Sequence, residues 1–192
     1  MAGFFAWTVF HPFHSVGDAL VRAYRRTEAQ PVHIDLDIEE WPPGDWQRMA
    51  REAAAAVGEI EPLLDHPGLQ VSVLLTNDEE IHALNRAWRA RDKPTNVLSF
   101  PMLTRDELAS LAKNGPPAML GDIALAHGVC AREAAEKGVP LADHATHLVI
   151  HALLHLAGHD HVESDEQAEA MEAREIAALA KRGSADPYGD RN

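Results

Sequence analysis

Residues 32–38 (VHIDLDI) alternate apolar and polar positions, the period of a half-buried strand. A Trp-Pro-Pro-Gly-Asp turn follows, with Asp45 placed to cap a helix, and residues 46–57 are Ala-rich with helical spacing. Pro67-Gly68 breaks the chain before QVSVLLT (70–76), an almost continuous apolar run that predicts a more deeply buried strand. Thr76 or Asn77 can cap the next segment, DEEIHALNRAW, whose acidic first turn complements a helix dipole. NVLSFPM (96–102) and MLGDIALA (119–126) predict a third and a fourth strand. Beyond residue 126 the period is helical, with helices expected near 128–137, 141–157 and 163–182. These elements predict an α/β (α+β) fold: a small mixed sheet of about four strands covered by helices, with strand–helix alternation in 70–126 permitting a parallel pair. The order of the strands is not legible.

The 192 residues suffice for one domain with a core of its own. Its expected bounds are 32–182, followed by a frayed tail at 183–192. Residues 1–31 are set apart by composition. They begin with an apolar, aromatic stretch interrupted by His and Pro, and no basic region precedes it, so a secretory signal fits poorly. A targeting segment, a mobile extension and an upstream start remain open, and an extension dispensable for the fold is the favoured reading.

Charge narrows the classes. Lys and Arg total 17 against 30 Asp and Glu, a formal net charge of −13. That excludes a protein held to nucleic acid by overall basicity. A single cysteine, Cys130, excludes an internal disulfide framework and a cysteine-only zinc site. No apolar run of about 18 residues is present, so no membrane helix and no membrane partner is expected.

The 12 histidines are the compositional anomaly, and six of them (144, 147, 151, 155, 159 and 161) fall within HATHLVIHALLHLAGHDH. His151 and His155 stand at i and i+4, about 40° apart on a helix and close enough to share an ion. Alone, such a pair arises as readily in a hydrogen-bonded core or surface. Gly158 then offers a left-handed helix end, from which the chain can reverse and bring back His161. Three imidazoles with an open fourth position describe a catalytic zinc site rather than a structural one. His147 continues the same face and either packs in the core or supports a ligand from behind. Asp160 can orient a ligand or cap the turn, and His159 can compete as a ligand or lie exposed. A metallopeptidase is the obvious rival, because H-E-x-x-H-x-x-G-x-x-H differs here only at the glutamate. That position is Ala152, which cannot act as a base.

Arg86, Arg89, Arg91 and Lys93 form the concentrated basic stretch of this acidic chain. It ends a helix, where cations complement the dipole, but arginine also suits phosphate.

Taken together, DKPTNVLSFP, LGDIAL (120–125) and HALLHLAGHDH (151–161) resemble the YbeY family of metal-dependent endoribonucleases, over about residues 32–180. The chain departs from the family pattern H-G-x-L-H-L-x-G-Y-D-H at Ala152 and His159, neither of which removes a ligand. The resemblance implies a metal cleft at one side of the sheet, one zinc ion on His151, His155 and His161, and a catalytic role for Arg89, with Arg91 and Lys93 as candidate substrate contacts; nickel or another divalent ion could occupy the same histidines. It implies a cytoplasmic enzyme acting on single-stranded rRNA at the 16S 3′ end and in ribosome quality control, with the small ribosomal subunit and its proteins as partners. An assembly factor with weak or conditional nuclease activity is the alternative. Its partner surface would be the acidic C-terminal helix with Glu163, Asp165, Glu166, Glu169, Glu172 and Glu175, although such a helix is commonly just a solvated face.

Overall fold

The computed structural model describes residues 31–161 and 164–189. The expectations for the N-terminal extension and for Glu163 lie outside the described residues. Four strands, β1 (His33–Ile38), β2 (Leu69–Thr76), β3 (Val97–Pro101) and β4 (Ala118–Ala126), form one sheet in the order β1-β2-β4-β3. β1 pairs with β2 and β2 with β4 in parallel, while the edge strand β3 runs antiparallel to β4. The helices are α1 (Trp46–Ile60), α2 (Asp78–Arg89), α3 (Arg105–Ser110), α4 (His127–Lys137), α5 (Leu141–Leu156) and α6 (Asp165–Lys181). None of the described helices is long and apolar enough to cross a membrane.

Alternation along the strands divides the interior into two layers. Ile34, Val71, Val73, Leu75, Ile123 and Leu125 face the main core, which α1, α5 and α6 complete through residues such as Met49, Ala53, Val149, Leu153, Met171 and Leu179. Leu74, Leu98, Ala124 and Ala126 face the other way, against Ile81 and Leu84 of α2. Burial of each large aliphatic side chain contributes about 1.5–3 kcal/mol. The alanines of α1 bring that helix close to α5 and α6 without a bulky ridge between them.

Two features of the recognisable motifs have plain structural causes. In LGDIAL, Gly121 has φ +156° beside a register shift in the β2–β4 pairing, and a Cβ there would collide with the Phe100 carbonyl and the Leu156 side chain. In DKPTN, Asn85 is buried and donates to the Lys93 carbonyl at 2.7 Å, pinning the turn to α2. Asn96 donates to Glu133 of α4 at 2.9 Å, and the same carboxylate pairs with His144 of α5 at 2.7 Å. The turn after α2 is thus tied to the helix that carries the histidines.

The helix α3 has no counterpart in the periodicity, because six residues are too few to display one. Its signal was local: Thr104 and Glu107 form a reciprocal capping box. The segment after α6 also departs from a frayed tail, since residues 184–189 turn back toward the body of the protein. The Tyr188 backbone N–H donates to Asp186 at 2.8 Å, and the Tyr188 hydroxyl reaches Glu175.

Candidate metal centre and its cleft

α5 ends as its glycine predicted. Gly158 has φ +83°, its N–H donates to the His155 carbonyl at 2.9 Å, and the His159 N–H donates to the Leu154 carbonyl at 3.0 Å. This left-handed closure reverses the chain. His161 returns to ring-centroid distances of 5.4 Å from His151 and 5.0 Å from His155. One ring nitrogen from each of the three histidines lies within 4.8 Å of the others.

Hydrogen bonds orient two of the rings. The Nδ1 atom of His151 lies 2.9 Å from the Glu175 carboxylate, and Nδ1 of His155 lies 2.9 Å from the His159 carbonyl. Both partners accept only, so each Nδ1 carries a proton and each ring turns its Nε2 toward the other. Those two Nε2 atoms are 3.1 Å apart. Burial, reinforced by the neighbouring His151 and His161, lowers the His155 pKa to about 4, partly offset by the His159 carbonyl and Asp160. His155 is therefore neutral at pH 7. At this separation the two Nε2 atoms can share one proton or one metal ion. A tetrahedral zinc ion, with Zn–N of ~2.0–2.1 Å, spaces its nitrogens by roughly 3.3 Å. The donor set fits a divalent ion of this kind.

A cavity of about 330 Å³ opens beside His155 and His161, and Arg89, Ser99 and Pro101 also line it. Arg89 is the last residue of α2, and its Nη2 donates to the Ser99 carbonyl at 3.4 Å. The helix closes on Ala90 in a left-handed conformation (φ +52°), which sends the chain away and leaves the guanidinium at the cleft. Arg91 and Lys93 are exposed and are not among the lining residues of this cavity. A second cavity, of about 260 Å³, lies on the other side of His161 and is lined by His151, Met171, Glu172, Glu175 and Tyr188.

Two sequence expectations change. Glu175 belongs to no solvated face: it is 1% exposed and accepts from His147 (2.6 Å), His151 and the Tyr188 hydroxyl (2.5 Å). Burial opposes its ionisation, but those three hydrogen bonds prevail and hold its pKa well below the usual carboxylate range. His159 does not turn to the other three histidines, because its Nε2 meets the buried Glu61 carboxylate, which Arg105 also contacts at 3.4 Å. Arg105 further donates to the Ala157 carbonyl at 2.6 Å, bracing the end of α5. Asp160 accepts the His161 backbone N–H at 2.7 Å, the turn-capping alternative. His147 reaches the centre only through Glu175. Ala152, which stands where the peptidase pattern has its glutamate, is fully buried in the main core.

Glu61, Arg105, Glu175 and Tyr188 are contacts that sequence reasoning missed. Only Glu175 had a usable signal: it stands at i+4 from Met171 and i−4 from Leu179, on the buried stripe of α6.

A parallel-centred α/β sheet with a three-histidine helix-turn facing an arginine describes a metal-binding hydrolase of phosphoester type. A family model described as Endoribonuclease YbeY matches residues 35–183. The chain belongs to the YbeY endoribonuclease family. A protein of that name from Erythrobacter litoralis (strain HTCC2594) is 65% identical over 160 residues, covering 83% of this chain and 99% of the relative. Another from Novosphingobium aromaticivorans is 57% identical over 158 residues, covering 81% and 95%. The solution structure of a Thermotoga maritima protein superposes with a TM-score of 0.51 at 24% identity, covering 78% of this chain and 91% of that one, and supports the fold.

Proposed function

We propose that this endoribonuclease cleaves single-stranded rRNA in the cytoplasm, at the 16S 3′ end and in ribosome quality control, using one zinc ion held by His151, His155 and His161. The observation that carries the reading is the convergence of those three rings beside a cleft that His155, His161 and Arg89 line together. When bound, zinc would supply Lewis acidity toward a phosphoryl oxygen and lower the pKa of bound water.

The protein's own groups account for the rest. The Arg89 guanidinium, tethered by one N–H to the Ser99 carbonyl, offers its other donors to the non-bridging phosphate oxygens and stabilises charge as it grows at phosphorus. Glu175 and the His159 carbonyl fix the tautomers of His151 and His155. A cleft of about 330 Å³ suits an unpaired nucleotide better than a duplex. The net charge of −13 disfavours tight nonspecific RNA binding, so the ribosome, with proteins of its small subunit, presents the substrate. Arg91 and Lys93 then act at the approach to the cleft rather than inside it.

The test is cleavage of matched single- and double-stranded rRNA fragments, with and without a chelator. Chelator-sensitive cutting confined to the single strand is expected. Equal cutting of the duplex, or cutting that a chelator leaves unchanged, would overturn the reading. A 2′,3′-cyclic phosphate at the product end would identify the RNA 2′-OH, instead of water, as the nucleophile.

A further inference from the structure

The chain after α6 is built to return. Gly183 (φ +69°) donates to the Ala180 carbonyl at 3.0 Å, and the Ser184 N–H donates to the Leu179 carbonyl at 3.1 Å, which closes the helix and reverses the chain. Asp186 then accepts the Tyr188 N–H at 2.8 Å, forming a tight turn that aims the Tyr188 ring inward. The ring meets His147 edge-on at a centroid distance of 5.6 Å, and its hydroxyl lies 3.4 Å from His147 Nε2 while donating to Glu175 Oε2 at 2.5 Å.

Glu175 receives these donors in an ordered way. Oε2 accepts from Tyr188 and from His147 Nε2 at 2.6 Å, and Oε1 accepts from His151 Nδ1 at 2.9 Å. With one oxygen engaged twice, the plane of the carboxylate is set, and the other oxygen is presented to His151. The carboxylate sits on the stripe of α6 that otherwise buries Met171, Ala178 and Leu179. A leucine would cover the same area without the cost of burying a charge, so packing does not explain a glutamate here. Orientation of an imidazole does.

We propose that Tyr188 and Glu175 are positioning residues for the metal centre: the C-terminal turn clamps the Glu175 carboxylate, which holds His151 as its Nδ1–H tautomer with Nε2 directed at the ion. This rests on the reading of His151 as a metal ligand. It makes residues 184–189 part of the active centre through the Tyr188 contact with Glu175.

The experiment compares the full-length protein with Tyr188→Phe and Glu175→Gln by two readouts. One is a zinc titration against a competing chromophoric chelator. The other is a long-range proton–nitrogen NMR correlation of the histidine rings in the metal-free protein, which reports the tautomer directly. Glu175→Gln is expected to weaken zinc binding by roughly 10–100-fold, and Tyr188→Phe by a smaller factor. In both, the His151 ring should move from one tautomer toward a mixture. Tyr188→Phe removes a single oxygen and keeps the ring, so it decides the matter if Glu175→Gln does not fold. A wild-type zinc affinity together with an unchanged His151 tautomer in Tyr188→Phe would overturn the proposal. Failure of the wild-type protein itself to bind zinc would sink the metal reading, whereas the metal-free tautomer measurement tests the clamp separately.

Discussion

Two helix ends meet at the cleft, and they are made differently. α5 closes on Gly158 and α2 on Ala90, both left-handed, and each delivers a charged or ligating side chain to the same 330 Å³ space. The α5 end is anchored from behind. His151 leans on Glu175, His155 on the His159 carbonyl, and Arg105 braces Ala157 from α3. The α2 end is exposed, and Arg89 has one long tether to Ser99. The lesson concerns division of labour. A metal centre tolerates little error in ligand geometry, so its side is fixed before anything binds. In the proposed function, a phosphate clamp would meet a flexible polyanion, and the Arg89 side keeps a long side chain able to adjust to it.

This contrast can be broken experimentally, and the largest effect should come from the open side. Arg89→Glu places a negative charge against the phosphate and should lower the single-turnover rate on single-stranded rRNA by about 100-fold or more, with zinc content unchanged. Loss of zinc in that variant would show that the two sides are not separate.

The anchored side should fail through its backbone. Gly158→Ala puts a Cβ 2.9 Å from Arg105 Cβ and forces a left-handed alanine, a cost of about 1–2 kcal/mol before the clash. Urea unfolding should show at least that loss, accompanied by weaker zinc binding because His161 is carried by this turn.

Acid tests the same side without mutation. In the metal-free protein the His155 pKa is lowered from 6.5 to about 4. The unfolded chain therefore takes up a proton at this site before the folded chain does, and stability must fall as pH drops from about 6.5 toward 4. Glu175 and Glu61, also lowered, extend the loss below about pH 4.5, where their unfolded forms protonate. Denaturation midpoints in chelator at pH 7, 5.5 and 4 should decline in that order, and a flat profile would contradict the burial of a neutral His155.

The smallest effect belongs to the open side again. Ala90→Gly relieves a left-handed alanine and should raise stability by about 0.5–1 kcal/mol, with cleavage little changed.

Much of this was legible in the chain. Each strand begins and ends within a residue or two of where alternation and turn residues put it, and His151, Gly158 and His161 announced the helix-turn by spacing alone. Periodicity reports which residues share a face of one element, so it singled out the three histidines that the structure brings together, which are local. It is silent about which elements meet. Glu61 at the end of α1 and Arg105 on α3 meet the end of α5 only in three dimensions, through His159 and the Ala157 carbonyl. Glu175 was misread for an instructive reason: five of the six acidic residues assigned to that face invited a solvated reading, and only its register with Met171 and Leu179 gave it away. Arg91 and Lys93 show the converse, since nearness in sequence to Arg89 did not carry them into the cleft wall.

The most direct test of the account is the metal stoichiometry of His155→Ala beside the wild type, by elemental analysis after dialysis against a weak chelator. One equivalent of zinc in the wild-type protein and none in the variant, both folded by circular dichroism, is the predicted result. One equivalent retained by His155→Ala would contradict the assignment of His151, His155 and His161 as the centre on which the chemistry depends.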